Sequence, residues 1–302
     1  MMNIRKKTGR RYPVLTTLIG AAMAAVMLIA PTLASAADTQ PSHFTWTVTS
    51  ASISGDLTLI NDAATNGNPK ALLYVSPNYS PGGVCGCVTD NEPIAVYYDT
   101  SDSQWSILNE NDSAPPVGAS FNVFVEPKKS GPAFQVTAGS TNTSGDTVYA
   151  DSKTTNDKPD AILQATQVWN GAYNDNVAGV YYDTSADEWG VFNEGDEAMA
   201  AGTEYNVLVG NVGGGTSGTL DGTSGTIGAD SEHYTSTVTN GDSNTFVLDT
   251  PNWDPDGTCG CVYDTSPTGV WYFTSDGGIA VFNESQANME TGVDFNLLAW
   301  NS

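Results

Sequence analysis

Ile94-Ala-Val-Tyr-Tyr-Asp-Thr-Ser-Asp-Ser-Gln-Trp-Ser-Ile-Leu-Asn-Glu110, continuing through Gly118 to Phe121-Asn-Val-Phe-Val125, is written three times in this chain. The second copy runs from Gly179-Val-Tyr-Tyr-Asp183 through Trp189-Gly-Val-Phe-Asn-Glu194 and Gly202 to Tyr205-Asn-Val-Leu-Val209. The third runs from Gly269-Val-Trp-Tyr272 through Ile279-Ala-Val-Phe-Asn-Glu284 and Gly292 to Phe295-Asn-Leu-Leu298. In each, the second aromatic stands 11 residues before the Asn of Asn-Glu, the Gly 9 after that Asn, and the Asn of Phe/Tyr-Asn 13 after it. Repetition at fixed spacing marks one structural unit copied in tandem. The spacing matches no catalytic signature.

The block reads as three strands. Val96-Tyr97-Tyr98 and Trp105-Ser-Ile-Leu108 are rich in β-branched and aromatic residues and are joined by six residues, Asp99 to Gln104. That pattern is a hairpin, and the link keeps its length in Asp183 to Glu188 and Phe273 to Gly278, which fixes the strand register. The second strand is apolar on one face (Trp105 and Ile107) and pairs a small with a large residue on the other (Ser106 and Leu108). Both faces are therefore covered, as in a small barrel or sandwich. In the closing strand Phe121, Val123 and Val125 alternate with Asn122 and Phe124. A buried amide needs partners, so Asn122, Asn206 and Asn296 are expected to tie a neighbouring turn or edge backbone rather than a ligand. Asn109, Asn193 and Asn283 end a strand and open a loop, a turn role.

Outside the block the likeness continues. Phe44 and Phe134 each stand 10 residues before a Ser-Gly-Asp turn and 25 before Pro69 and Pro159. The expectation is an all-β chain of three tandem small barrel or sandwich modules of about 80 residues, at 44–127, 134–210 and 212–302. Three full modules without long helical patterns suggest beads on a string or modules stacked into a rod. Gly210 to Gly228 is almost all Gly, Thr and Ser, and reads either as a tether or, because Ser224-Gly225 aligns with the Ser-Gly turns, as a degenerate first strand; the second reading is preferred.

Residues 1–36 read as a secretory signal peptide: Arg5, Lys6, Lys7, Arg10 and Arg11 precede an apolar run from Val14 to Ala30 and a small-residue cleavage site at Ala34-Ser-Ala36. No second long apolar segment follows, so a soluble, secreted, extracellular protein without membrane insertion is expected. Without the leader the chain keeps five Lys and no Arg against 34 acidic residues, a net charge of −29. Such a surface repels nucleic acid and anionic lipid. Disorder is argued against by seven Trp, thirteen Tyr and nine Phe.

All four cysteines lie in two triplets, Cys85-Gly-Cys87 and Cys259-Gly-Cys261. Module two is six residues shorter between Trp169 and Tyr182 than the others are between Tyr79 and Tyr98 or Trp253 and Tyr272, and the missing piece is the triplet. Both sulfurs are lost as a unit, which favours a disulfide inside each triplet. Pairing between modules one and three, a four-thiolate metal site and a redox-active dithiol are the other readings.

Candidate chemistry beyond sulfur is thin. His43 and His233 are the only histidines and do not recur with the repeat, and no Gly-x-Ser-x-Gly, Walker loop or His-Glu-x-x-His is present. No catalytic residue is assigned. Glu110, Glu194 and Glu284 are the acids kept in all copies; a glycosidase pair could be built from acids, but a catalytic site is rarely written three times in one chain. Asp254-Pro-Asp256-Gly257 resembles the start of an oxygen-rich Ca²⁺ loop, and Asp99 to Asp102 and Asp183 to Asp187 lie in hairpin links; solvated turns are the competing reading. No other cofactor is expected. Tyr79, Trp169 and Trp253 share one loop position, where flat rings could stack on sugar faces or pack across the module mouth.

Pro77-Asn-Tyr-Ser-Pro-Gly-Gly83, Ile94-Ala-Val-Tyr-Tyr98, Trp105-Ser-Ile-Leu-Asn109 and Phe121-Asn-Val-Phe-Val125 resemble a family of uncharacterised exported bacterial repeat domains with Gly-Val-Trp-Tyr, Trp-x-Ile-Phe-Asn and Phe-Asn-Val-Leu-Val signatures. The likeness covers all three modules and departs where Ile279 replaces the Trp and where module two lacks the Gly-Gly loop. It implies a bacterial, extracellular β module and supplies no activity. The expected function is a non-catalytic extracellular repeat protein acting in adhesion or as a cell-surface or matrix component, with glycans or other surface proteins as partners. The alternatives are a carbohydrate-binding protein using the loop aromatics and, more distantly, a secreted hydrolase.

Overall fold

Alternating apolar residues in each copy become strands in the same order. The computed structural model describes residues 40–223, 226–239, 241–275 and 277–301; the leader expected at residues 1–36 lies outside them. Module one carries β1 (Ser42–Thr47), β2 (Ile53–Ser54), β3 (Leu57–Leu59), β4 (Leu72–Pro77), β5 (Ile94–Asp99), β6 (Gln104–Asn109) and β7 (Ser120–Glu126). Module two carries β8 (Ala133–Thr137), β9 (Thr143–Ser144), β10 (Thr147–Tyr149), β11 (Leu163–Val168), β12 (Ala178–Asp183), β13 (Glu188–Asn193) and β14 (Glu204–Val209). Module three carries β15 (Thr216–Asp221), β16 (Ile227–Gly228), β17 (Ser231–Tyr234), β18 (Phe246–Pro251), β19 (Thr268–Phe273), β20 (Gly278–Asn283) and β21 (Asp294–Trp300). The chain is all-β, in three tandem modules.

Each module sets a three-stranded sheet, ordered β1-β7-β4 in module one, against a four-stranded sheet ordered β2-β3-β6-β5. The expected hairpin is β5 with β6, in the register Val96↔Ile107 and Tyr98↔Trp105. The Gly that follows it at fixed spacing enters the closing strand from the left-handed region, with φ of 96° at Gly118, 95° at Gly202 and 98° at Gly292. A side chain there would be strained, which accounts for Gly at all three positions. Gly210 to Gly228 contains the degenerate first strand: β15 pairs β21 from Thr216↔Ala299 to Asp221↔Asp294. Ser224-Gly225, which suggested that reading, lies outside the described residues and is not the matching turn: the turn equivalent to Gly55-Asp56 is Ala229-Asp230, between Gly228 and Ser231.

Between the two sheets of each module sits an apolar interior. Module one encloses Leu73, Val75, Val96, Trp105, Ile107, Phe121 and Val123, and modules two and three enclose the equivalent sets around Trp189 and Phe295. A fourth cluster belongs to no single module: Leu72, Tyr74 and Phe124 meet Ala133 and Leu208 of module two and Phe246, Leu248 and Trp300 of module three.

That shared cluster corrects the linear picture of beads or a rod. The modules close on one another as a ring. Tyr79 N–H donates to Val270 O, Trp169 N–H to Val96 O and Trp253 N–H to Val180 O, at 3.0, 2.9 and 3.0 Å. Module one thus leans on three, two on one, and three on two. Between β11 and β5 the contact extends to a parallel pairing, Gln167↔Ala95 and Val168↔Val96, while the other two seams keep a single parallel bridge each. Interfaces that join unlike surfaces head to tail close only when the rotation suits, here after three units.

Closure makes covalent continuity dispensable once the chain has folded. Lys128 and Lys129 are exposed in the connection between modules one and two. A protease site engineered there and cleaved under native conditions is expected to leave both fragments co-eluting at the size of the intact protein and separating only in denaturant. Separation in native buffer would contradict the closed ring.

Candidate functional site

The residues the repeat keeps most faithfully converge on the three seams. Along the ring's axis run β4, β11 and β18, each an outer strand of its three-stranded sheet. Such an edge presents unpaired N–H and C=O groups. Here the neighbouring module fills it. Asn122 Nδ2 donates to Val247 O at 2.9 Å, Asn206 Nδ2 to Leu73 O at 3.0 Å and Asn296 Nδ2 to Leu163 O at 3.1 Å. Two residues along, Val75 N–H donates to Thr166 Oγ1, Ala165 N–H to Thr250 Oγ1 and Asp249 N–H to Ser76 Oγ, at 3.0, 3.2 and 2.9 Å. The strand-start Asn does tie an edge backbone, as its burial demands, and the edge is another module's.

The loop aromatics occupy the outer part of the same seams. Tyr79 packs edge-on to Trp271 with centroids 6.1 Å apart, Trp169 edge-on to Tyr97 at 5.0 Å and Trp253 edge-on to Tyr181 at 5.9 Å. All three are half-buried, and the indole Nε1 atoms of Trp169 and Trp253 are enclosed. The structure brings each ring to an aromatic of the neighbouring module and none of the three to another, so they form no common stacking platform.

Glu110, Glu194 and Glu284 complete the seams in the opposite direction. Glu110 Oε2 accepts the backbone N–H of Asn174 at 2.8 Å, Glu194 Oε2 that of Asp264 at 3.1 Å and Glu284 Oε2 that of Asp90 at 2.9 Å. Burial pushes the Glu110 carboxyl up to about 7 and Glu284 to about 8, against the partial relief of the backbone N–H each accepts. Burial raises Glu194 well above the usual carboxylate range. Asp90, facing Glu284, is raised to about 7 by burial.

The remaining sequence candidates fall around these contacts. Asp254, proposed for Ca²⁺, gives Oδ1 to Tyr182 N–H of module two at 2.7 Å, the place where Ser80 Oγ accepts Tyr272 N–H at 3.0 Å. The side chain of Asp256 is outside what the structure describes. Asp99 and Asp183 cap their own links, accepting Ser101 N–H at 2.7 Å and Ser185 N–H at 2.8 Å. Among the described residues no group of three or more His, Cys, Asp or Glu is placed to hold a metal ion. In each cysteine triplet the two sulfurs lie side by side, with Cα atoms 4.9 Å apart for Cys85 and Cys87 and 4.9 Å for Cys259 and Cys261. Both triplets are pinned to a seam aromatic, through Cys87 N–H to Tyr79 O at 3.1 Å and Cys261 N–H to Trp253 O at 2.9 Å.

Sequence reasoning missed Ser76, Thr166 and Thr250, and also Asp90, Asn174 and Asp264. Both sets lie outside the conspicuous block. The signal that finds them is positional: each is a polar residue at the same offset in all three copies.

A family model described as a domain of unknown function (DUF7452) matches residues 34–125, 95–209 and 179–299, each match ending on a copy of the hairpin and closing strand. No curated protein and no solved structure matches the chain.

The seam carboxyls give a pH dependence of definite sign. A carboxyl whose pKa is raised on folding keeps its proton where the unfolded chain has released it, so its stabilising share is full below the unfolded value of 4.5 and is lost as pH climbs toward 8. The melting temperature is expected to fall by about 5 °C or more between pH 5 and pH 8. Replacing all three, Glu110→Gln, Glu194→Gln and Glu284→Gln, keeps an acceptor for each N–H and should flatten that fall in a thermal melt series. A slope unchanged in the triple variant would place the pH dependence elsewhere.

Proposed function

The chain belongs to the family described as a domain of unknown function, DUF7452, and from that premise we propose that it works outside the cell as a non-catalytic repeat protein, a rigid building block of a bacterial cell surface or matrix that acts in adhesion. One observation carries this reading. Among the side chains that recur in all three modules, Asn122 with its two counterparts, Glu110 with its two counterparts and the Tyr79, Trp169 and Trp253 rings are engaged across module boundaries, while Asn109, Asn193 and Asn283 hold turns of their own modules. What the repetition preserves is thus a way of joining modules, and a catalytic centre would need such groups free to converge on a substrate.

Export is supported by the basic stretch and apolar run of residues 1–36, and by a charge of −29 on the remainder, which keeps a β-rich chain soluble. The resemblance to exported bacterial repeat domains points the same way. In that oxidising setting each Cys-Gly-Cys triplet is assigned an internal disulfide, which the 4.9 Å Cα separation suits. Peptide mapping without reductant is expected to recover Cys85 linked to Cys87 and Cys259 to Cys261. A peptide joining modules one and three, or free thiols in protein purified from the medium, would reject that assignment.

The functional reading is tested by deleting the coding sequence and measuring attachment of the producing cells to surfaces and to one another, with fractionation of the complemented strain. Protein recovered from the envelope or medium and attachment lost on deletion and restored by complementation are the expected results. Attachment unchanged by deletion, or turnover of a polymeric substrate by the purified protein, would overturn it.

A further inference from the structure

Ser76, Thr166 and Thr250 line a cavity of about 80 Å³ to which all three modules contribute. It adjoins a vestibule of about 290 Å³, and Pro93, Asn176, Val177 and Pro267 line both. The cavity walls are largely apolar, built from Pro77, Pro93, Pro251, Pro267, Ile94 and Val177. The three hydroxyls already accept backbone N–H groups.

One wall breaks the pattern. Asp249 stands where modules one and two carry Val75 and Ala165, and Thr268 where they carry Ile94 and Ala178. Asp249 is 8% exposed and lines the cavity. Its Oδ2 accepts the Thr268 hydroxyl at 2.7 Å, and its Oδ1 is buried with no partner. An orphaned buried carboxylate oxygen costs stability. The sister modules carry the apolar Val75 and Ala165 at the same place, so the fold does not require a carboxyl there. A costly group at a position the fold does not require, facing a cavity, is the mark of a binding site.

We propose that the axial cavity binds a primary alkylammonium group, with Asp249 as its counter-ion and the proline-lined wall around its alkyl chain. A buried carboxylate set in a largely apolar wall, with the half-buried Glu92 as the other acid of the lining, suits a group with a positive charge, N–H donors and a short apolar stem. Among the described residues no group of three or more acids stands there for Ca²⁺ or Mg²⁺, which take six or more oxygen ligands. Burial holds the Asp249 carboxyl above the usual range, and an arriving cation offsets that penalty. The acidic surface of the chain concentrates cations at the entrance.

Isothermal titration of the purified protein with n-butylammonium chloride tests this, with n-butanol and tetramethylammonium as controls that lack the charge or the N–H donors. Saturable binding of n-butylammonium is expected, at least tenfold tighter than either control and at least tenfold weaker in Asp249→Ala and Asp249→Asn. Asp249→Ala installs the residue of module two and is expected to melt no lower than the wild type, so its loss of binding cannot be laid to misfolding. Nα-acetyl-lysine methylamide binding as tightly as n-butylammonium would identify the occupant as a lysyl side chain, and a preference for n-butylammonium a free amine; either supports the site. Absence of saturable binding by the wild type, or equal affinity in the two Asp249 variants, overturns it.

Discussion

Everything in this ring follows from the need to satisfy the bare edge of one strand. A three-stranded sheet has two edges, and in each module one of them, β4, β11 or β18, faces the interior of the assembly, where water cannot complete its hydrogen bonds. The Asn amide and the Ser or Thr hydroxyl of the adjoining module supply the missing partners at fixed positions. Farther along the same strand a second neighbour takes over, by backbone pairing at Tyr79, Trp169 and Trp253. Each axial strand is therefore shared by all three modules, which is why the apolar cluster around Tyr74, Leu208 and Trp300 can exist between them.

The direction of the contacts explains how local differences are tolerated. The Asn amides run from one module to its predecessor in the cycle, and the Glu carboxyls run to its successor, so each seam is held from both sides. Module two can then lose the Cys-Gly-Cys loop, because Trp169 is still seated on Tyr97 and buttressed by Tyr173 with centroids 5.6 Å apart. Module three can replace the strand Trp by Ile279 because that residue faces its own module's interior rather than a seam.

Much of the fold was legible in the sequence. The hairpin was readable from Val96-Tyr97-Tyr98 and Trp105-Ser-Ile-Leu108, since alternation and constant link length fix strands and register locally. The degenerate strand at Thr216–Asp221 was readable only by alignment with its sister copies, because Gly, Ser and Thr carry little alternation of their own. Ring closure was not readable: whether Asn122 bonds an edge in its own module or in the next depends on how modules are oriented, and no local pattern records that. The same holds for Tyr79, Trp169 and Trp253. A loop aromatic looks alike in sequence whether its face meets a sugar or its edge meets Trp271. Asp249 was passed over because it lies in an otherwise apolar run, Phe246-Val-Leu-Asp249, whose difference from Val75 and Ala165 has meaning only once the cavity beside it is known.

The head-to-tail character of the seam turns repeat number into a rule of assembly. Every module offers one edge to be filled and one set of groups that fills another, so a chain is self-sufficient only when its copies come in threes. A chain with a single such unit would have to gather two more of itself to cover its own backbone. A chain with two would be left holding an unfilled edge at one end and unused side chains at the other, ready to join a further molecule.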